Sequence, residues 1–217
     1  MRVAIVPGHS SAAPGAVRTV DCGKGRHREL REYDLCREIS EELATQLRRD
    51  GHSVFEPPSA RQPLGYPEYL DERIREINEA GVHAAVELHL NASLDPSLNF
   101  ALALYHPQSE RGKRLAEALA AEFQIALLPY HDSPPRVEPD TWTGGTKAFV
   151  RHTHPPAVIG EPCFLSHPPI QEFIRDRGEE FVAELVVAYR RGIEAWWAAQ
   201  APMAQSQKIG AEPGGRA

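Results

Sequence analysis

The chain has 217 residues, 41% of them hydrophobic and 25% charged, enough to bury a full core as one ordinary soluble globular domain. Its net charge of −6 and sequence pI near 5.9 exclude the concentrated basic surface that binds nucleic acid without regard to sequence. Three scattered cysteines, Cys22, Cys36 and Cys163, form no Cys-x-x-Cys pair, which argues against a disulfide framework and a thiolate zinc site and for a reducing compartment.

Arg2 to Val6 predicts a first strand, and Pro7 and Gly8 cut its apolar run far short of a secretory core or a membrane span. Cytoplasmic synthesis without a signal peptide, and no membrane insertion, are therefore expected. Pro7 to about Arg28 reads as a long loop, rich in Gly, Ser and Ala, of a length that is usually functional or mobile. From Glu32 to Asp50 the residues Leu35, Ile39, Leu43 and Leu47 recur every fourth position, and Gly51 stops a first helix. Ser53 to Glu56 is a second strand, Tyr69 to Ala80 a second helix ended by Gly81, Ala84 to His89 a third strand, and Phe100 to His106 a fourth. Glu110 to Leu127 carries a helical stripe through Leu115, Leu119 and Phe123, and the Pro-, Asp- and Thr-rich stretch 128–146 is expected to be a surface loop. Lys147 to Arg151 and Ala157 to Glu161 read as two further strands, and Glu179 to Ala199 as a final amphipathic helix.

Alternating strands and helices of this kind predict a single α/β domain over residues 1–200, a twisted, mixed but mostly parallel sheet of about six strands with helices on both faces. Residues 201–217, rich in Pro, Gln, Gly and Ser, are expected to form a disordered tail.

In open α/β sheets ligands bind beyond the carboxyl ends of the strands. Three polar residues stand there: His9 after the first strand, His89 at the end of the third, and Glu161 at the end of the last. Glu32 begins the first helix, where unpaired amides and the helix dipole favour a carboxylate. Two histidines and a carboxylate, with a coordination position left open, are typical of catalytic zinc. A further glutamate can move the proton of a water whose pKa the zinc lowers while the metal polarises the scissile carbonyl. Each residue also has a plainer reading: a histidine closing a loop, a strand-end histidine with a structural partner, a charge at a helix start. Glu161, between Gly160 and Pro162 in an apolar stretch, is hardest to read that way, because carboxylates are rarely buried without a partner or a purpose.

Five segments in order, Val3 to His9, Glu32 to Leu35, Leu70 to Ile74, Glu87 to Ala92 and Pro156 to Ser166, resemble the zinc-dependent N-acetylmuramoyl-L-alanine amidases of the amidase-3 type. That family includes bacterial cell-separation enzymes and the catalytic domains of phage endolysins. The resemblance implies one zinc ion bound by His9, Glu32 and His89, with Glu161 as catalytic acid/base in cleaving the amide between N-acetylmuramic acid and L-alanine of peptidoglycan. Arg73 matches an arginine of the family's helix motif, as a structural residue or a partner of the site, and Asn91 matches its His-x-Asn pattern. An endolysin-like monomer, made in the cytoplasm and acting on the cell wall, is one expectation from this resemblance.

The sequence also departs from the family. Ser10 and Ser11 stand where two glycines usually follow the histidine, and Glu87 replaces a small hydroxyl residue two positions before His89. Strand alternation points Glu87 to the face of His89, as a partner that orients the ring, as an extra acid, or as an exposed strand residue. Glu29 competes with Glu32 for the ligand role, and Glu32 is preferred because it directly precedes Tyr33-Asp34-Leu35. His27, His52, His83, His106, His131, His152, His154 and His167 match no role, although His27 and His131 are expected in loops near the cleft. A thiol mechanism at Cys163 is disfavoured, and Trp196 and Trp197 read as packing of the last helix rather than a sugar platform. Two rivals remain: a zinc hydrolase of another small amide or peptide, carboxypeptidase-like or acting on formyl-amino acids, and an inactive peptidoglycan-binding module.

Overall fold

The computed structural model describes residues 1–141 and 148–200; the tail expected at 201–217 lies outside the described residues. The first strand, β1 (Arg2–Pro7), has Val3, Ala4, Ile5 and Val6 fully buried, so apolar side chains leave both faces, as in a central parallel strand. Around it lie β4 (Ser53–Phe55), β5 (Ala84–Leu88), β8 (Ala157–Glu161), β6 (Leu102–Tyr105) and β7 (Arg136–Pro139). The sheet order is β4-β1-β5-β8-β6-β7. The first four strands run parallel. β6 pairs antiparallel with β8, and β7 parallel with β6, giving the mixed, mostly parallel six-stranded sheet that the alternation predicts.

Helices cover both faces. On one, α1 (Glu32–Arg49), α3 (Glu110–Ala126) and α5 (Pro168–Ala198) pack their apolar stripes into one core: Ile39, Leu43, Leu119, Phe123, Leu185 and Tyr189 are among its buried residues. On the other, α2 (Glu68–Glu79) and the short α4 (Ala148–His152) cover Ala4, Val6 and Ala85 with Leu70, Ile77 and Phe149. The α1 stripe forms because Leu35, Ile39, Leu43 and Leu47 repeat on one face, and Gly51, at φ 84°, takes the left-handed conformation that ends the helix.

The structure corrects four sequence expectations. The segment from Pro7 to Arg28 is not all loop: β2 (Val17–Asp21) and β3 (His27–Arg31) form an antiparallel hairpin. Its periodicity is faint because, among these ten positions, only Val20 and Leu30 are buried. The stretch 128–146 contains the edge strand β7, whose mostly exposed Arg-Val-Glu-Pro sequence looks like a loop, and whose proline is tolerated at an edge. The expected strand at Lys147 to Arg151 is instead helical from Ala148 onward; a short apolar run has no periodicity to separate the two, and burial of Phe149 and Val150 against the α2 side decides it. Finally, α5 begins at Pro168, eleven residues before the expected Glu179, because it is kinked at Arg177 (φ −143°, ψ 49°), which breaks the helical stripe there.

Candidate metal centre

β1, β5 and β8 are neighbours running in one direction, so their carboxyl ends share one edge of the sheet. The ladder continues into that edge, where Gly8 N donates to Leu88 O at 2.7 Å and His89 N donates to Gly160 O at 2.9 Å. His9, His89 and Glu161 are thereby delivered to one cleft of about 700 Å³.

Glu32 reaches the same cleft from the first turn of α1. No side chain caps this helix; instead Glu32 N donates to Ala16 O at 2.9 Å and Tyr33 N to Pro14 O at 3.0 Å, so the preceding loop satisfies amides that a helix start leaves unpaired. The carboxylate is fixed in return: Oε2 accepts from Ala16 N at 2.8 Å and Oε1 from Leu90 N at 3.1 Å. Oε1 also lies 3.1 Å from His9 Nε2 and 3.0 Å from His89 Nδ1. The two imidazoles meet edge to face with centroids 4.7 Å apart. Glu29 sits instead on β3 with its side chain 60% exposed, against Arg31.

Electrostatics agree with this geometry. Burial acts to raise the pKa of Glu32, but hydrogen bonds and charge from His89 and His9 outweigh it and hold the carboxyl well below the usual carboxylate range. Burial likewise acts against a charged His89, yet Glu32 and Glu87 raise its pKa well above the ordinary histidine value. Both shifts have one cause: positive charge on the imidazoles is stabilised beside the buried Glu32 and Glu87 carboxylates. One donor atom each from His9, Glu32 and His89 lies within 4.8 Å of the others. Two imidazoles and one carboxylate suit zinc better than the hard cations that prefer all-oxygen shells.

Two glycines make room for the cluster. A Cβ on Gly8 would run into the His89 ring, 2.5 Å from Nε2, and one on Gly15, already at φ +72°, would run into Glu32 Oε2 and stand 2.5 Å from His9 Nε2. Under Glu161, Gly160 serves a similar purpose, since a Cβ there would meet Tyr189 at 2.8 Å, and the Tyr189 hydroxyl donates to Gly160 O at 2.9 Å.

Glu87 lies on the His89 side, as the alternation predicts, and it is buried rather than exposed. Arg73 is fully buried beside it. Asn91 lines the cleft, its Oδ1 accepting from Ala92 N at 2.8 Å. Ser10, at one of the usual glycine positions, is buried and donates to Leu64 O at 2.5 Å, tying the loop to the segment before α2. Cys163 is fully buried and its thiol is pushed up by burial, a poor setting for a nucleophile. Trp196 is buried in the core with Trp197 packed against it. Among the described residues, none of the eight other histidines lines the cleft; His131 supports it indirectly, its Nε2 lying 2.9 Å from Pro162 O, next to Glu161.

Several cleft residues escape motif reading. Tyr66 and Tyr69 line it from the α2 side and Arg18 from the hairpin. Asn99, buried, accepts from Phe164 N and donates to Tyr130 O, both at 2.8 Å, holding the chain that follows Glu161. The Pro14-Gly15 pair is the one local signal for the loop that caps α1.

Residues 3–195 match the model of a family described as N-acetylmuramoyl-L-alanine amidase. No curated protein matches the chain. Among solved structures, the CwlD amidase of Clostridioides difficile, in complex with the GerS lipoprotein, is 17% identical, covers 91% of this chain and 98% of its own, and superposes with a TM-score of 0.71. The amidase AmiC2 of Nostoc punctiforme is 20% identical over 91% of this chain and 97% of its own, with a TM-score of 0.72. The catalytic domain of the CD27L endolysin, which targets Clostridia difficile, is 24% identical over 88% and 96%, with a TM-score of 0.63. At these identities the structural likeness is one of fold.

Proposed function

Because the chain belongs to the N-acetylmuramoyl-L-alanine amidase family, enzymes that hydrolyse the amide between N-acetylmuramic acid and L-alanine in peptidoglycan, we propose that His9, Glu32 and His89 hold one zinc ion and that Glu161 transfers the proton. The observation that carries this reading is the convergence of His9 Nε2, Glu32 Oε1 and His89 Nδ1 in a cleft that Glu161 also lines. Bound there, zinc supplies Lewis-acid polarisation of the scissile carbonyl and a lowered pKa for the attacking water.

The rest falls to the chain itself. Glu161 takes the proton of the attacking water and returns it to the departing alanine nitrogen, so that the amine leaves neutral. Glu32, fixed by the amides of Ala16 and Leu90, holds the two imidazoles in register. Tyr66, half exposed, offers an aromatic face for the substrate, and burial together with Glu87 pushes the Tyr69 phenol up to about 12, so that it stays neutral at the cleft wall. Residues 1–200 form the catalytic domain. No described helix is long and apolar enough to cross a membrane; the substrate sets the place of action at the cell wall.

The test pairs metal content with release of L-alanine amino groups from purified peptidoglycan. We expect about one zinc per chain, release by the wild type, and a loss of about 10²- to 10⁴-fold in Glu161→Gln, the range for removal of a general acid/base, with zinc retained. Release that persists in the variant, or a wild type that takes up no zinc, overturns the assignment.

A further inference from the structure

Two buried charges sit behind the histidine pair. Arg73 is fully buried and Glu87 is 3% exposed, a costly placement for either charge unless both are well partnered. Arg73 Nη1 donates to Pro7 O at 2.8 Å and lies 3.7 Å from Glu87 Oε1, and Nη2 donates to His9 O. The guanidinium also lies 4.7 Å from the centroid of the Tyr69 ring. The other oxygen of Glu87, Oε2, is 3.3 Å from His89 Nε2. The contacts therefore run without a break from the main chain of His9, through Arg73 and Glu87, to the ring of His89.

Each end needs holding. His9 has φ 65°, a left-handed conformation that side-chain-bearing residues adopt only at a cost, and the two Arg73 bonds, to the carbonyls of Pro7 and His9, bracket the turn. An imidazole presents its correct nitrogen to a metal only if its other nitrogen has a fixed partner. With Nε2–H donating to Glu87, Nδ1 is the nitrogen left on the side of Glu32 Oε1, 3.0 Å away, and would be the one to give its lone pair to a bound zinc.

We propose that the buried Arg73–Glu87 pair positions the metal centre: Glu87 sets the ring orientation and tautomer of His89, while Arg73 neutralises Glu87 and holds the His9 backbone. This rests on the preceding assignment of His9, Glu32 and His89 as zinc ligands. Glu87 is a positioning residue and not a catalytic one, because its oxygens are engaged by Arg73 and by the far side of the His89 ring.

Zinc dissociation constants, measured by chelator competition on the full chain, test the idea together with thermal midpoints of the metal-free proteins. Glu87→Ser removes the acceptor and is expected to weaken zinc binding by about 10- to 100-fold, the usual effect of losing such a partner. Glu87→Gln, which keeps a carbonyl oxygen for Nε2–H and nearly the same volume, is expected to recover most of that loss. In zinc-loaded wild type, long-range ¹⁵N correlation spectra should show the His89 proton on Nε2, a readout that needs no variant to fold. A Glu87→Ser protein with wild-type zinc affinity, whatever its thermal midpoint, leaves the pair a purely structural ion pair and overturns the proposal, as does a proton found on Nδ1. In both of those results the wild type still binds zinc and the ligand assignment survives, whereas a wild type without zinc affinity removes both readings.

Discussion

Gly15 combines a left-handed φ of +72° with a site for a Cβ already occupied by Glu32 Oε2 and the His9 ring. No side chain fits there without displacing either the helix carboxylate or a histidine. Gly15→Ala is therefore expected to weaken zinc binding at least tenfold, about 1.4 kcal/mol, while the distant helix packing is kept; chelator competition beside a circular-dichroism melt checks both halves. The glycine is readable in the sequence as a turn residue, but its contact with Glu32 is not, because the two lie seventeen positions apart and meet only through the loop that caps α1. Ser10 illustrates the same limit. Replacing a usual glycine, it suggests only a stiffer loop, whereas its hydroxyl in fact reaches Leu64.

At the scale of elements, the hairpin β2–β3 and helix α2 belong to opposite layers, since Val20 and Leu30 join the core of α1, α3 and α5 while Tyr69 and Leu70 join the other. The cleft between them is acidic, with Glu32, Glu87 and Glu161, and Arg18 is the one lysine or arginine among its described lining residues. A cation lining a cleft that otherwise holds three carboxylates suits an anionic group of the substrate. Arg18→Ala is expected to raise KM several-fold with kcat nearly unchanged, measured on soluble muramoyl-peptides; an equal fall in kcat would place Arg18 in the chemistry instead. The segment after α3 makes a second element-scale prediction. Burial lowers the pKa of His131 from 6.5 against the pull of Pro162 O. A histidine whose folded pKa is depressed contributes stability that is fully present above its unfolded value and is lost as pH falls towards the folded one. The wild-type thermal midpoint should therefore drop between about pH 7.5 and pH 5.5 by more than that of His131→Asn, and identical pH dependences would refute this.

For the molecule as a whole, the platform beneath the site is the packing of α3 against α5. Gly192 lets the helices touch, because a Cβ there would stand 2.9 Å from the Leu119 backbone. Gly192→Ala is expected to cost about 1–3 kcal/mol, as overpacking does, lowering the thermal midpoint by roughly 2–4 °C per kcal/mol for a domain of this size. Activity at 25 °C should stay near wild type, since the site lies at the sheet edge and not in this seam.

Local signals in the sequence determined most of the elements, because stripes such as Leu35, Ile39, Leu43 and Leu47 and runs such as Val3 to Val6 record the burial of one helix face or of both strand faces. They also marked His9, His89 and Glu161, since a polar residue closing an apolar strand is visible in a short window. Elements with little buried surface, the hairpin and β7, left almost no record, and the apolar run at Phe149 was ambiguous until packing decided it. Only the tertiary structure determined that β1, β5 and β8 are neighbours, that Glu32 and not Glu29 meets both imidazoles, and that Arg73 and Glu87 lie buried behind them. Those facts depend on strand order and layer packing between residues dozens of positions apart, and no local pattern of side chains encodes which distant partner a strand will choose.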